Sequence, residues 1–140
     1  MKKIVNFAAS LLLLAGSLAS CGKDKENVSL KGTNWKLAGF VDMQTEVLTE
    51  AQPQCSRCYI LAFDTDSTAS GYSSTNDVLL DISRMPPRFG GTKMGEMGDG
   101  DLYWNIWPHV TSYVLKDGIL KFFYTIDKKE AYLLFKPYEQ

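Results

Sequence analysis

From about residue 30 onward, apolar and polar positions alternate in short runs separated by turn-forming residues. Successive side chains of a strand point to opposite faces, so a period of two predicts half-buried strands. In NWKLAGFV, Trp35, Leu37 and Val41 fall on one side and Lys36 and Ala38 on the other. CYILAFD places Tyr59, Leu61 and Phe63 on one face. DTDST reads as a turn into TASGYSS; DVLLDIS is a further run, and Pro86-Pro87 breaks the chain before RFGGTKM. Asp117-Gly118 lies between SYVLK and ILKFFYT. A type I′ turn needs positive φ at both central residues, which Asp-Gly tolerates, so a hairpin is predicted there. IDKKE then turns the chain into a last strand, with Ala131, Leu133 and Phe135 on one face and Tyr132 and Leu134 on the other.

The exception is GDLYWNIWPHVTS, where Leu102, Ile106 and His109 or Val110 recur near helical spacing and Pro108 disturbs the last turn. One short helix is predicted, able to plug one end of a barrel. The expected fold is therefore mainly β: a single small antiparallel β-barrel of about eight strands with one short helix. Trp35 is assigned to its core.

The first residues belong to a different pattern. Lys2 and Lys3 precede an apolar stretch, Ile4 to Leu18, that ends in small residues. A membrane span needs about 20 apolar residues; this stretch is shorter and has the layout of a secretory signal peptide. It closes on Leu18-Ala19-Ser20-Cys21, which resembles a bacterial lipobox. The resemblance implies that Cys21 carries diacylglycerol, that cleavage precedes it, and that its new amino group takes an acyl chain such as palmitate. Acyl chains bury methylenes at about 0.8 kcal/mol each, so two or three give a stable anchor. The expected organisation is a signal peptide at 1–20, a lipidated cysteine with a flexible tether at 21–30, and the β-barrel domain at 31–140. The polar tether, GKDKENVSL, contains KDKE, which resembles the lipoprotein export signals of Bacteroidota. That points to the outer membrane of a bacterial cell envelope, with the domain exposed at the surface.

Charge narrows the partners. Without Lys2 and Lys3, 13 basic residues face 16 acidic ones, a net charge of −3. No polybasic footprint for nucleic acid results. The expected partners are the membrane, through the lipid, and an envelope protein or a small ligand.

Candidate chemistry is sparse. QCSRCY holds Cys55 and Cys58, the remaining two of three cysteines. A zinc site wants about four ligands, and the chain has one such pair and one histidine, His109. A thioredoxin-type redox pair wants its nucleophile at a helix N-terminus, yet here a proline loop precedes the pair and a strand follows. A local disulfide fixing the start of that strand is the plainest of the three readings. His109 shows no positioned nucleophile or carboxylate. The acids of GEMGDGD and DTDS lack the spacing of a calcium loop and read as turns. Tyr103, Trp104 and Trp107 are the binding candidates, suited to sugar stacking or an apolar protein contact, against the alternative that they cap the core. No metal, cofactor or catalytic set is predicted.

In order along the chain, LKGTNWKLAGF, YILAFDTDSTASGYSSTN, GTKMGE, LYWNIWPHVTSYVLKDGILKFFY and YLLFKP resemble the META domain family, in particular the short lipocalin-like lipoproteins of Bacteroides. The match covers roughly residues 30–137. SSTN lacks the cysteine that META domains often carry before that asparagine, TKMGE lacks another, and GTNW is one residue longer than the lipocalin Gly-x-Trp. The resemblance implies a β-barrel and an envelope location, and it brings no catalytic residues. The whole reads as a lipid-anchored envelope lipoprotein, not an enzyme, whose small barrel binds or interacts. Alternatives are a lipocalin-like carrier of a small ligand, or an inhibitor or chaperone of another envelope protein acting through exposed loops such as residues 42–57.

Overall fold

The computed structural model describes residues 29–139. The predicted signal peptide, Cys21 and the tether up to residue 28 lie outside the described residues. The rest forms nine strands: β1 (Asn34–Asp42), β2 (Leu48–Glu50), β3 (Ile60–Phe63), β4 (Thr68–Tyr72), β5 (Asp77–Asp81), β6 (Arg88–Gly91), β7 (Val110–Lys116), β8 (Ile119–Ile126) and β9 (Lys129–Pro137). Between β6 and β7 run a helix, α1 (Gly100–Ile106), and a 3-10 turn, Trp107–His109.

The strands make one antiparallel sheet in the order β6-β5-β4-β3-β1-β9-β8-β7, with β2 paired to β1 beside that path. The sheet curls into a half-barrel. Its outermost strands, β6 and β7, do not pair with each other. The 3-10 turn packs against both β6 and β8 instead. The mainly β architecture with one short helix is as the periodicity predicts. The strand beyond the predicted eight is β2, inside the segment 42–57 expected as loop.

The alternating positions become the core. Tyr59, Leu61, Phe63, Val78, Leu80, Ile82, Leu120, Phe122, Leu133 and Phe135 form one buried cluster with Trp35 and Leu37. The Asp-Gly hairpin has its positive φ values, 54° at Asp117 and 72° at Gly118; Asp127 and Lys128 make the next turn the same way. One face is displaced from expectation. The β1–β9 register shifts between Leu37 and Gly39, and one extra residue reverses which face later side chains occupy. Phe40 therefore follows Trp35 and Leu37 into the cluster, while Val41 is buried too but outside that cluster. Gly39 makes the bulge workable: a Cβ there would sit 2.1 Å from Thr49 O on β2.

α1 also presents a different face than expected. Tyr103 and Ile106 are fully buried and Leu102 is 44% exposed. Pro108 ends the α-helical hydrogen bonding and the chain tightens into the 3-10 turn, which swings Trp107 inward. Trp107 stacks on Phe89 of β6 (5.1 Å, 14°) and lies edge-on to Phe122 of β8 (4.9 Å). This aromatic wedge joins the two sides of the curled sheet, with each such pair contributing about 0.5–1.5 kcal/mol beyond buried area.

The half-barrel has two distinct ends. Ser29 and the backbone N–H groups of Leu30 and Lys31 donate to the Asp66 carboxylate in the β3–β4 turn. The tether thus meets the domain where β1 begins. β1 then runs about 30 Å, at roughly 3.3 Å per residue, to Asp42 at the opposite end.

Candidate functional site

The end reached by β1 carries an open groove of about 510 Å³. Phe40 (β1), Tyr124 and Ile126 (β8) and Ala131 (β9) form its floor, continuous with the core; Val47 before β2 and Leu102 of α1 form its walls. The walls are unusually apolar for exposed positions: Val47 is 59% exposed, and Leu48 and Met43 stand exposed on the same hairpin. The groove exists because the β1–β2 hairpin rises beside the sheet. Asp42 Oδ1 accepts from the N–H groups of Gln44 (2.8 Å) and Thr45 (3.2 Å), fixing that turn.

Charge gathers on the rim. Asp42, Asp127 and Glu130 line the groove with one base, Lys129; Lys128 and Lys129 border a smaller adjoining cleft with Asp42 and Glu130. Burial, and then the negative charge of Asp42, raise the pKa of the Tyr124 hydroxyl above its usual value. Two depressions also flank the exposed Leu79 on the convex face, of about 390 and 590 Å³. They are gaps beside one side chain on strands β3–β6, bounded by small residues such as Ser70, Gly71 and Gly90.

The aromatic candidates lie elsewhere. Tyr103 and Trp107 are fully inaccessible, and Trp104 packs partly buried against the core. Neither Tyr103 nor Trp107 offers a free ring face for stacking, so the core-capping alternative describes those two, while Trp104 keeps part of its surface exposed. Burial raises the Tyr103 pKa far above its usual value.

Cys55 and Cys58 are joined in a disulfide. Lys36 Nζ donates to the carbonyls of both, at 2.7 Å each, and Arg57 lies over the Tyr72 ring at 4.2 Å. The staple fixes the start of β3, as the plainest reading has it. His109 is exposed at the end of the 3-10 turn.

One of the acids of GEMGDGD, expected only as a turn residue, instead centres a hydrogen-bonded cluster. Glu96 accepts from Ser73 Oγ (2.7 Å), Ser74 N (3.1 Å), Ser74 Oγ (2.6 Å), Trp104 Nε1 (2.9 Å) and Asn76 Nδ2. Asn76 Oδ1 accepts from Thr92 Oγ1 (2.9 Å) and Met94 N (2.6 Å). Burial pushes the Glu96 carboxyl up, but the donors from Ser74, Asn76, Ser73 and Trp104 outweigh it and hold the pKa below the usual glutamate value. Every donor is engaged by protein, so the cluster is a clasp holding segment 92–98 to the β4–β5 turn. The signal available in sequence was a serine pair, an asparagine and a glutamate 20 residues on, which no local rule connects.

The neighbouring loop is fixed too. Gln52 N donates to Asp99 Oδ2 (2.8 Å), and Tyr59 Oη donates to Gln52 O (2.7 Å). Burial, then the charges of Asp99 and Glu96, push the Tyr59 pKa up to about 12. The clasp and this strap hold α1, and with it Leu102, against the groove.

No family model and no solved structure matches the chain. A Tannerella forsythia protein named "Putative lipoprotein" is 37% identical over 139 residues, spanning 96% of this chain and 95% of that relative. Among the described residues, no helix is long and apolar enough to cross a membrane. At that identity and coverage, the chain belongs to the same family as the Tannerella forsythia lipoprotein.

Proposed function

We propose that this protein is an outer-membrane lipoprotein, anchored through acylated Cys21, that displays a non-catalytic half-barrel as a binding module. The groove is its working surface. The observation that carries the reading is the placement of apolar walls, Val47 and Leu102, over the floor of Phe40 and Tyr124, at the end opposite the tether. Exposed apolar surface with a polar rim marks contact sites. A module tethered at one end and apolar at the other presents its groove away from its own bilayer. Kinship with the META domain family and its lipocalin-like members is part of the same proposal, supported by the order of the sequence motifs.

Anchoring is tested by phase partition of the wild type and Cys21→Ala in a clouding detergent. Wild type is expected in the detergent phase and the variant in the aqueous phase. Binding is tested with Nile red, a neutral apolar dye. The wild type is expected to bind one dye per chain, and Leu102→Asp, altering a side chain already exposed, is expected to remove that binding while leaving the fold intact. Dye binding unaffected by Leu102→Asp, or none at all, overturns the groove as working surface.

A further inference from the structure

The groove combines an apolar floor with an acidic rim, and that combination selects for charge as well as for hydrophobicity. This inference rests on the reading of the groove as the binding surface. We propose that its occupant is a segment of a partner protein in which apolar side chains are flanked by lysine or arginine. The volume, about 510 Å³, suits one or two large apolar side chains rather than a folded domain. Three carboxylates, Asp42, Asp127 and Glu130, border it against Lys129, with Lys128 at the adjoining cleft. A flanking cation is therefore drawn in, and a flanking carboxylate is repelled.

Two of those acids sit on strand-paired backbone. Asp42 stands opposite Ala131 across the β1–β9 ladder, and Met43 N donates to Glu130 O at 3.1 Å. Their backbones are held by the sheet, so their charges stay beside the apolar floor. A hydrophobic amphiphile in the protein's own membrane is a poorer fit, because the groove opens at the end away from the tether. Complementary rim charge of this kind chiefly sets specificity and association rate, and it is screened within about 10 Å at 0.1 M salt.

The test uses the lipidated protein in zwitterionic nanodiscs, with empty discs as blank. The probes are the end-blocked hexapeptide Gly-Lys-Leu-Leu-Lys-Gly and its counterpart with glutamate for lysine. The lysine peptide is expected to bind at least tenfold tighter, to perturb the amides of residues 40–47, 102 and 124–131, and to weaken several-fold between 50 and 300 mM salt. Asp42→Asn with Glu130→Gln should abolish the preference; the amide that replaces the Asp42 carboxylate keeps an Oδ1 acceptor to fix the turn. Nile red should still bind that double variant. Equal affinity for both peptides, a preference surviving the double variant, or shifts confined to another surface overturns the proposal. If Nile red binds at Leu102 without any lysine preference, the charge rule alone falls; if neither peptide nor dye binds, the groove reading falls with it. Self-association of the protein through this groove, which the lysine peptide does not displace, also counts against it.

Discussion

Substituting Glu96→Gln keeps the size of the side chain and removes its charge. The carboxylate takes five donors: both Ser74 groups, Ser73 Oγ, Asn76 Nδ2 and Trp104 Nε1. Some have second partners. Asn76 Nδ2 also donates to Met94 O at 2.9 Å, and Ser73 Oγ lies 3.4 Å from Asn76 O. The donors with most to lose are Ser74 Oγ and Trp104 Nε1, both on half-buried residues. A glutamine offers one acceptor oxygen and turns an NH2 toward the others. A buried donor left unsatisfied costs about 1–3 kcal/mol. With partial exposure and one surviving acceptor, a net loss of about 2 kcal/mol is expected at neutral pH, or roughly 10 °C in Tm for a domain of this size. The sign with pH follows from linkage. The folded carboxyl titrates below its usual value, so its stabilisation is present above the unfolded glutamate pKa, about 4.3, and fades as pH falls through the lower folded value. Urea denaturation of wild type and variant from pH 3 to pH 7 should show a gap that is widest at neutral pH and shrinks in acid. A gap that is absent, or constant across that range, refutes the clasp.

Four further outcomes rest on the packing. Trp107→Ala removes the wedge between β6 and β8 and should cost about 3–5 kcal/mol by chemical denaturation. Gly39→Ala drives a Cβ into Thr49 O and should cost more than about 1 kcal/mol, with Nile red binding impaired because Val47 moves with β2. Replacing Cys55 and Cys58 by serine should cost about 2 kcal/mol or less, since so short a loop has little chain entropy to restrict. Tyr59 is protonated in the fold up to about pH 12, while an unfolded tyrosine ionises near about 10. Stability should therefore decline as pH rises between those values, and Tyr59→Phe should make that decline less steep in an alkaline melting series, with Tyr103 and Tyr124 sustaining the remainder.

Alternation was legible because the core-facing positions of β3, β5, β8 and β9 follow strict period two, and the two turns with paired positive φ announce themselves through Asp-Gly and Asp-Lys-Lys. The face of β1 was not. A bulge inserts one residue without any local signature beyond a glycine, and Val41 and Phe40 are both apolar. The helix was readable from Ile106 and Pro108, but its buried face was not, because the 3-10 turn after Ile106 rotates Trp107 inward and leaves Leu102 outside. Of the three aromatics, Tyr103 and Trp107 take the core-capping alternative, and Trp104 is half-buried beside them. The cysteine pair resolved into its plainest form. The groove was only hinted at, through the segment 42–57: it depends on where the β1–β2 hairpin rests relative to α1, two elements far apart along the chain. Glu96 is the extreme case, since its serine partners lie 22 and 23 residues back on a different turn.

The central claim is that the apolar groove opposite the tether is the surface that binds. The most direct measurement is an amide NMR map of the lipidated protein in nanodiscs as Nile red is titrated in. Saturable shifts clustered on residues 40–47, 102 and 124–131, with Ser29–Lys31 and the 64–67 turn unmoved, are the predicted result. Shifts centred on Leu79 and the convex face, or on the tether end, would contradict it.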